Sequence, residues 1–344
     1  MAHPSISVLL PVYNAAATLD ACLESIRAQT LGDFEVVLVD DGSTDETPCI
    51  AARHAAVDPR IRVERMAHGG IIRALNHGLA RCRGPYVARM DGDDRMHPQR
   101  LARQLDFHQT QPTGSLTGAQ VRLFRPGGEP SAAGLRYIAW QNSLLDDAAI
   151  QRELYVEAPI SHPTFFAERE LFTRLGGYRD TGWAEDYDLL FRAARAGVPL
   201  AKLPAVLVDK GDGPQRLTRT DRIYRRSAMF RAKAHHFREV FAASGHARLI
   251  ICGSGPSGRL VLKAFRAEGV EPHGIVDNMA GPPGRTVAGL PASGFPGVIQ
   301  AEQLAGFDDA LFVLCIGDPV GRGQFVAALE SLGRREPHDF VRFI

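Results

Sequence analysis

Two kinds of hydrophobic pattern alternate along the N-terminal part of the chain. Residues 6–12 and 34–39 are almost continuously apolar, which is typical of strands that are buried on both faces. Between them, apolar side chains recur at helical spacing at Leu19, Cys22, Leu23 and Ile26. The alternation of helix and strand continues over residues 46–56, 61–63, 71–82 and 86–90. This order predicts an α/β fold with a parallel-rich sheet flanked by helices.

The chain is long enough for two domains. Its 344 residues exceed the usual size of one compact domain, so two hydrophobic cores are expected. Helices at residues 98–109 and 185–196 and strands at 116–124 and 205–208 complete the first half, and residues 216–243 have the pattern of one long basic helix. We therefore predict a first domain over residues 1–215, a basic helical linker over 216–246 and a second, smaller domain over 247–344.

The second domain begins with a strand, a glycine-rich turn and a helix. Residues 248–252 are apolar and run into GSGPSG, which contains Gly253, Gly255 and Gly258, and a second strand ends at Asp277. An acidic residue about 20 positions beyond the glycines is typical of a Rossmann-like unit that binds a nucleotide. The glycines could instead serve only close packing of helix on strand, so a nucleotide at this unit is left open.

Charge and cysteine content exclude several classes of partner. Forty Lys and Arg against 39 Asp and Glu leave a net charge of +1, which gives no overall field for nucleic acid. Five cysteines without a CxxC pair favour reduced thiols, and hence a reducing cytoplasm, over disulfides or a zinc site. Since no apolar stretch reaches the roughly 18 residues of a membrane span, any membrane contact is expected to be peripheral, at the inner face.

Basic residues dominate one stretch near the middle of the chain. They are Arg216, Arg219, Arg222, Arg225, Arg226, Arg231, Lys233 and Arg238, interrupted by Asp221. A helix of this kind suits an anionic membrane surface or a lipid-diphosphate acceptor. It is also compatible with a solvated face whose apolar side packs between the domains, through Leu217, Tyr224, Met229 and Phe230. Both interpretations are open.

The tetrapeptide Asp91-Gly92-Asp93-Asp94 concentrates acidic residues at the end of a strand. Carboxylates held around one point repel one another unless a divalent cation joins them, and hard cations prefer oxygen ligands. A solvated turn, in which Asp and Gly satisfy the backbone, explains the same residues equally well. The tetrapeptide alone does not choose between a metal site and a turn.

Four segments occur in a fixed order up to and including this acidic cluster. They are VLLPVYNAAATLDACLESIRAQT, FEVVLVDDGSTDET, HGGIIRALNHGL and GPYVARMDGDD. In this order and at these spacings they resemble family 2 glycosyltransferases, over roughly residues 5 to 230. The resemblance implies a GT-A type sheet that binds a nucleoside-diphosphate sugar. It also implies that Asp91, Asp93 and Asp94 bind Mg2+ or Mn2+, with Asp91 at the donor as well.

The resemblance also implies which residues bind the donor. Asp41, the second carboxylate of the VDDGS segment, would accept a hydrogen bond from the base, with Asp40 beside it. Pro11 and Tyr13 would line the site, with Tyr13 on or beside the base, and Arg73 would reach the base or the diphosphate. The alternatives are structural: the aspartates cap the next turn, the tyrosine packs in its loop, and the arginine is a solvated helix residue.

A second acidic motif opens the helix at residues 185–196. The segment Trp183-Ala184-Glu185-Asp186 matches the ED motif of the family, which implies that Asp186 is the general base of an inverting transfer, with Glu185 as the alternative. Trp183 would be a stacking platform for an acceptor sugar. Acids in a first helical turn can also merely complement the helix dipole, and the tryptophan can be a packed aromatic. His162 is typical of a loop histidine and is left outside the site.

These implications combine into one hypothesis. The chain is expected to move a sugar, by default from a UDP-sugar, to a saccharide or lipid-linked acceptor in polysaccharide or glycoconjugate biosynthesis. Residues 248–333 more loosely resemble the nucleotide-binding domains of sugar acyltransferases. Asp209-Lys210 departs from the aromatic-basic pair that the family often carries there. The rival hypotheses are an NAD-linked oxidoreductase centred on the C-terminal glycines and a non-catalytic nucleotide-sugar-binding protein.

Overall fold

A computed structural model describes residues 4–125, 127–213, 220–277, 286–287, 289–294, 304 and 306–344. These residues divide into two compact units. The first unit comprises Met1–Gln151, Ala158–Thr181 and Glu185–Thr220, and the second comprises Arg152–Glu157, Gly182–Ala184 and Asp221–Ile344. The predicted boundaries at residues 215 and 246 stay predictions.

Strands and helices alternate up to residue 211. The strands are β1 Ile6–Val12, β2 Phe34–Asp40, β3 Ile61–Arg65, β4 Tyr86–Arg89, β5 Arg95–Met96, β6 Leu116–Phe124, β7 Phe166–Glu168 and β8 Leu200–Gly211. The helices are α1 Leu19–Arg27, α2 Thr47–Val57, α3 Ile71–Leu79, α4 Arg100–Gln109, α5 Ala132–Ser143, α6 Asp147–Glu153, α7 Arg169–Arg174 and α8 Glu185–Arg195. A short 3-10 helix, His162–Thr164, precedes β7.

The described strands of the first unit form one sheet in the order β3-β2-β1-β4-β7-β6-β8-β5. Strands β3, β2, β1 and β4 are parallel, whereas β7 is antiparallel to both of its neighbours. The chain reverses its direction across the sheet at β1, because β2 and β3 lie on one side of it and β4 lies on the other. Ligands of open α/β sheets bind outside the carboxyl ends of the strands at such a point.

Burial on both faces explains why the sequences of the first two strands are almost continuously apolar. Every residue of β1 and β2 is buried, and α1 packs its apolar face on them. The residues of α1 in this core are Leu19, Cys22, Leu23 and Ile26. Each large apolar side chain buried in this way stabilises the fold by about 1.5–3 kcal/mol. The helix and strand pattern is thus a direct consequence of a sheet covered on both faces.

The second unit contains a second, mostly parallel sheet. Its strands are β9 Arg248–Cys252, β10 Gly274–Asp277, β11 Thr286–Val287, β12 Leu290–Gly294, β13 Ala310–Leu314 and β14 Phe340–Arg342. The described strands follow the order β11-β12-β10-β9-β13-β14, and only the β11–β12 pair is antiparallel among them. The helices are α9 Arg226–Ala243, α10 Pro256–Ala267 and α11 Pro319–Ser331. The predicted α/β fold with a second, smaller α/β unit is confirmed.

The basic stretch is not one continuous helix. Residues 214–219, which include Arg216, Leu217 and Arg219, lie outside the described part of the chain. Beyond them, the Asp221 side chain accepts a hydrogen bond from the nitrogen of Ile223 and caps a short 3-10 helix, Arg222–Tyr224. Arg225 is then extended, and α9 begins only at Arg226. The prediction of an unbroken helix over 216–243 is therefore wrong at residues 221–225, because an aspartate side chain competes there for a main-chain donor.

Candidate active site

Three loops at the carboxyl ends of β1, β2 and β4 lie side by side. The nitrogen of Asn14 donates to Ser43 Oγ at 2.9 Å, which joins the loop after β1 to the loop after β2. The thiol of Cys22 donates to the carbonyl of Asp91 at 3.3 Å. A Cβ atom on Gly92 would lie 2.9 Å from Val12 Cγ1, so this glycine allows the loop after β4 to approach β1. The candidate site is built on these loops.

Asp41 is buried and holds the segment that precedes α3. Its two carboxylate oxygens accept hydrogen bonds from the nitrogens of Gly69 and Gly70, each at 2.8 Å. His68 Nδ1 lies 2.9 Å from the same carboxylate. Because a carboxylate offers about four lone-pair positions, these bonds leave capacity for a further donor such as a base. Binding of the base by Asp41 stays a prediction.

Asp40 and Pro11 are both enclosed by the sheet. Asp40 Oδ1 accepts a hydrogen bond from the nitrogen of Ser43 at 2.9 Å, and Oδ2 lies 3.4 Å from Arg65 Nε. This geometry matches the turn-capping alternative for Asp40. Pro11 is buried within β1, opposite Val39 of β2. Their assignment to the donor site stays a prediction.

An aromatic pair lies at the surface beside Asp41. The ring of Tyr13 is 45% exposed and stacks on the ring of His68, with centroids 4.1 Å apart and planes inclined by 21°. Arg73 folds over the same segment, since a Cβ atom on Gly69 would lie 2.6 Å from Arg73 Nη1. The structure therefore brings Tyr13, Asp41 and Arg73 around residues 68–70. Sequence reasoning missed His68, although it begins the HGG segment.

The acidic cluster has the composition of a cation site. One carboxylate oxygen from each of Asp91, Asp93 and Asp94 lies within 4.8 Å of the others. Asp94 is 2% exposed, and its Oδ1 accepts a hydrogen bond from the nitrogen of Gly211 at 2.8 Å. Its Oδ2 is buried without a hydrogen-bond partner in the described part of the chain. A hard divalent ion fits this set, because it supplies the partner that the orphaned oxygen lacks.

The protonation of Asp94 reflects its surroundings. Burial, together with the charges of Asp93 and Asp91, raises the pKa of this carboxyl well above its ordinary value, while the charge of Lys210 acts in the opposite direction. Repulsion of this kind is the expected state of a carboxylate cluster without a cation. Lys210 Nζ also donates a hydrogen bond to Ser161 Oγ at 2.9 Å.

Asp186 opens helix α8 within the electric field of the same groups. Burial raises the pKa of its carboxyl, and a hydrogen bond from the nitrogen of Tyr187 at 2.8 Å lowers it. The charges of Lys210 and Arg89 also lower the pKa of Asp186, and the charge of Asp91 raises it. Asp186 is therefore influenced by Asp91 of the acidic cluster and by the two cations Lys210 and Arg89. Its role as a base stays a prediction.

A buried chain of polar side chains lies beside Asp186. His162 is buried, with Nε2 2.9 Å from the hydroxyl of Tyr178 and Nδ1 3.7 Å from Glu185 Oε1. Burial and the charges of Arg89 and Lys210 lower the pKa of His162 well below its ordinary value, so the ring is neutral. Sequence reasoning left His162 outside the site, whereas the structure connects it to Glu185. In the sequence, only the segment His162-Pro163-Thr164 could have indicated that this histidine lies beside the site.

Trp183 belongs to the second unit and is a packed aromatic. It is 4% exposed, and its ring lies 5.1 Å from the ring of His235 between centroids. The Arg231 guanidinium lies 5.7 Å from the same ring, and Arg231 also pairs with Glu268 at 3.4 Å. These contacts match the structural alternative for the tryptophan. Stacking of an acceptor sugar on Trp183 stays a prediction.

The glycine turn of the second unit has the expected local geometry. The nitrogen of Gly253, which has a φ of 104°, donates to the carbonyl of Val276 at 2.7 Å. A Cβ atom on Gly258 would lie 1.9 Å from the oxygen of Gly253, so only glycine fits there. Gly255 has open space, and Asp277 is buried at the end of β10. Nucleotide binding by these residues stays a prediction.

No helix in the described residues is long and apolar enough to cross a membrane. The exposed arginines of α9 have local partners: Arg226 donates to Ser257 Oγ and Arg238 donates to the carbonyl of Glu268 at 3.5 Å. Phe230 of the same helix is buried. These contacts agree with the interpretation of α9 as a helix with a solvated basic face and a packed apolar side. Contact with a membrane stays a prediction.

Sequence comparison identifies relatives of the first unit. The family described as "Glycosyl transferase family 2" matches residues 7–176 of the chain. The "Amylovoran biosynthesis glycosyltransferase AmsE" of Erwinia amylovora is 34% identical over 205 residues, which cover 59% of this chain and 74% of that protein. The aligned part thus includes most of the length of this relative.

Two solved structures have a similar fold. TarS 1–349 of S. aureus in complex with UDP-GlcNAc aligns with a TM-score of 0.55 and 19% identity, covering 67% of this chain and 66% of that chain. Mannosyltransferase PcManGT from Pyrobaculum calidifontis, in complex with GDP-Man and Mn2+, aligns with a TM-score of 0.54 and 17% identity. It covers 98% of this chain and 83% of that chain. At these identities the similarity supports a fold of the GT-A type and nothing further.

Proposed function

This chain belongs to glycosyl transferase family 2, and from that premise we propose that it is a metal-dependent, inverting glycosyltransferase. The donor is a nucleoside-diphosphate sugar, by default a UDP-sugar, and the acceptor is a saccharide or lipid-linked saccharide of polysaccharide or glycoconjugate biosynthesis. One observation supports the proposal most strongly: one carboxylate oxygen from each of Asp91, Asp93 and Asp94 lies within 4.8 Å of the others, and Asp94 Oδ2 is buried without a hydrogen-bond partner in the described residues. The charges of Asp91 and Lys210, which act on the Asp186 carboxyl, support a base close to this cluster.

The donor nucleotide would bind at the aromatic pair beside Asp41. Tyr13 and His68 present a stacked, partly exposed surface for a base, and stacking on such rings is favourable for any base. Asp41 holds the segment beneath this surface, and Arg73 lies over Gly69 with its positive charge at the surface. Pro11 and Asp40 would support this pocket from within the sheet.

The diphosphate would lie at the acidic cluster. Asp91, Asp93 and Asp94 would hold Mg2+ or Mn2+, and this ion would offset the negative charge of the departing nucleoside diphosphate. The GDP-Man and Mn2+ in the structure of PcManGT support a divalent ion in a protein of this fold. Lys210, whose positive charge acts on Asp94, provides a second means of offsetting the same charge.

Asp186 would remove the proton from the acceptor hydroxyl. The oxygen of that hydroxyl attacks the anomeric carbon on the side opposite the diphosphate, the bond from this carbon to the diphosphate breaks, and the proton passes to Asp186. The positive charges of Lys210 and Arg89 favour the ionised carboxylate that this step requires. Glu185, beside His162, is the alternative base.

We extend the proposal to the rest of the chain. The second unit would bind a nucleotide at Gly253, Gly255, Gly258 and Asp277, in the manner of the nucleotide-binding domains of sugar acyltransferases. The protein would act in the cytoplasm, with peripheral contact at the inner face of the membrane. The name of the Erwinia amylovora relative supports a role in the biosynthesis of a polysaccharide.

The test separates donor binding from turnover. Asp93→Ala is expected to weaken Mn2+-dependent binding of UDP-sugars or GDP-sugars, because it removes one ligand of the ion. Asp186→Asn is expected to retain donor binding and to lose transfer. Asp106→Asn, an exposed aspartate of α4, is the matched control and should leave both unchanged. Wild-type turnover by Asp186→Asn would overturn the assignment of the base.

Calorimetry distinguishes the rival functions. Binding of a nucleotide-sugar that strengthens with Mn2+ and leads to transfer is the expected result. Tight binding of NAD with hydride transfer would instead indicate the oxidoreductase, and donor binding without hydrolysis or transfer would indicate a binding protein. Titration with UDP-sugars, GDP-sugars and NAD, each with and without Mn2+, gives a different pattern for each case.

A further inference from the structure

Arg89 is a buried cation beside the acidic cluster, and the proposed reaction steps do not require it to touch substrate. It ends β4, its side chain is 3% exposed, and its Nη1 forms an ion pair with Asp91 Oδ2. The carboxylate of Asp91 is 29% exposed. The positive charge is therefore inside the protein, and its acidic partner is partly exposed to solvent.

The main chain fixes Arg89 in place. Its nitrogen donates to the carbonyl of Phe165 at 2.9 Å, and its carbonyl accepts a hydrogen bond from Arg100 Nη2 at 2.7 Å. Arg100 is itself fully buried and donates to Gln104 at 2.8 Å. Arg89 also lies within the sheet, where its main chain is in register with Leu9 of β1. The main chain of Arg89 is thus held on both sides, and its guanidinium pairs from there with the first residue of the acidic cluster.

Arg89 also interacts electrostatically with the first turn of helix α8. The negative charges of Asp91 and Glu185 act on Arg89, and Arg89 acts in turn on Asp186. One guanidinium therefore pairs with a candidate cation ligand and also acts on the charge of the candidate base. A guanidinium is planar and presents its donors in fixed directions, whereas an ammonium is a compact charge on a flexible stem. Nη1 is the atom that pairs with Asp91 Oδ2.

We propose that Arg89 is a positioning residue for the cation site: by pairing with Asp91 Oδ2, it fixes this carboxylate in the orientation that receives the metal ion. The inference rests on the proposed function, because it assumes that Asp91, Asp93 and Asp94 bind a divalent ion. In the absence of the ion the three carboxylates repel one another, and Arg89 opposes their separation. Groups that orient a metal ligand in this way typically change metal affinity by about 10- to 100-fold when they are removed.

Positioning and simple electrostatics predict opposite results. A positive charge near a cation site repels the cation, so electrostatics alone predicts that Arg89→Met binds Mn2+ more tightly. Positioning predicts weaker binding, because Asp91 loses its fixed orientation. Arg89→Lys retains the charge but not the planar fork, and its affinity should lie between those of Arg89→Met and the wild type.

The experiment measures Mn2+ binding directly, on the full chain. Free Mn2+ is followed by electron paramagnetic resonance during titration, first with the metal alone and then with UDP. Arg89→Met should bind Mn2+ at least tenfold more weakly than the wild type. Arg53→Met removes an exposed arginine that pairs with Asp20 on the helices α1 and α2, and should bind as the wild type does. In turnover assays the Mn2+ requirement of Arg89→Met should rise while the KM for acceptor stays unchanged.

The outcomes separate this inference from the proposed function. A wild-type chain that binds no Mn2+, with or without UDP, contradicts the metal-dependent function itself. A wild type that binds Mn2+ and an Arg89→Met variant that binds it equally or more tightly overturn only the positioning role. If thermal unfolding shows that Arg89→Met does not fold, Arg89→Lys decides, and an unchanged Mn2+ affinity in that variant overturns the inference.

Discussion

Asp94 Oδ1 and the main-chain nitrogen of Gly211 lie 2.8 Å apart, so that the end of β8 closes on the acidic cluster after β4. A Cβ atom on Gly211 would lie 2.5 Å from the main-chain oxygen of Asp93. Real Cβ atoms do not approach this closely, and the oxygen belongs to the backbone. The position of β8 therefore depends on a residue without a side chain.

Gly211→Ala should displace the acidic cluster from the end of β8. Because the hydrogen bond to Asp94 would lengthen, Mn2+-dependent donor binding should fall by about tenfold, as for loss of a group that orients a metal ligand. Calorimetry with UDP and Mn2+ measures the change. Gly213→Ala is the matched control, because no atom lies within 4 Å of its added Cβ. Equal affinities in the two variants would contradict the prediction.

Tyr13→Ala should weaken UDP binding without destabilising the protein. The ring is 45% exposed and stacks on His68, so its loss removes a surface for the base but little of the core. Stacking of a base on an aromatic ring contributes about 1–3 kcal/mol, which corresponds to roughly 5- to 150-fold in affinity. Calorimetry with UDP measures this change, and thermal unfolding measures stability. Tyr13→Phe keeps the ring and should bind as the wild type does; an equal loss in both variants would exclude stacking.

Tyr178→Phe should lower kcat more than donor affinity. The tyrosine hydroxyl is 2.9 Å from His162 Nε2, and His162 Nδ1 faces Glu185 at 3.7 Å. Removal of the hydroxyl leaves a buried ring nitrogen unpaired, which costs about 1–3 kcal/mol and loosens the side chains beside Asp186. Steady-state kinetics should therefore show a kcat roughly tenfold lower with an unchanged KM for the donor. A reduced donor affinity at unchanged kcat would place this chain of residues at the donor instead.

Stability should rise with pH above neutrality because of Lys202. This lysine is buried and donates to the carbonyl of Pro159 at 2.8 Å, and burial lowers its pKa to about 7. The ordinary pKa of lysine is 10.5. Between these two values the unfolded chain binds more protons than the folded chain, so the free energy of unfolding rises with pH, by up to about 1.4 kcal/mol per unit. Below about pH 7 both states are protonated, and this contribution does not change with pH.

Comparison with Lys202→Met isolates the effect. The variant lacks the titrating group, and contributions from all other groups are common to both proteins. Urea unfolding at pH 7, 8 and 9 should show that the wild type gains stability relative to the variant as the pH rises. A constant difference across this range would mean that Lys202 is protonated in the folded protein throughout.

The strands of the first sheet could be predicted because burial on both faces leaves a direct mark on the sequence. Residues of β1 and β2 are mostly apolar, with Ser7 and Glu35 as exceptions inside the strands, and Tyr13 and Asp41 follow the strand ends. The positions of Asp91, Asp93 and Asp94 followed from the same rule. Their clustering is local in the chain, so no tertiary information was needed to expect it.

Other parts of the site depend on contacts between distant segments. His162 is separated from Tyr178 and Glu185 in the chain by β7 and α7, so their contacts depend on the tertiary fold. The sequence around His162 has no periodic pattern that would indicate them. The helices α5, α6 and α7 were likewise not predicted, because they are short or have mixed polarity. Lys210 was noted only as a departure from the family, and its proximity to Asp94 follows from the pairing of β8.

Two short pieces that precede α8 in the chain, residues 152–157 and 182–184, belong to the second unit, and this has a consequence for how the protein can be recombined. Tyr155 stacks on Phe343, and Lys233 Nζ donates to the carbonyls of Val156 and Phe343 at 2.8 and 3.0 Å. Trp183 packs on His235 in the same unit. A chimera of two related proteins that is joined at a single point near residue 220 would contain α9 from one parent without that parent's partners in these contacts. Exchange of the C-terminal part between related proteins, by evolution or in the laboratory, must therefore carry residues 152–157 and 182–184 with it.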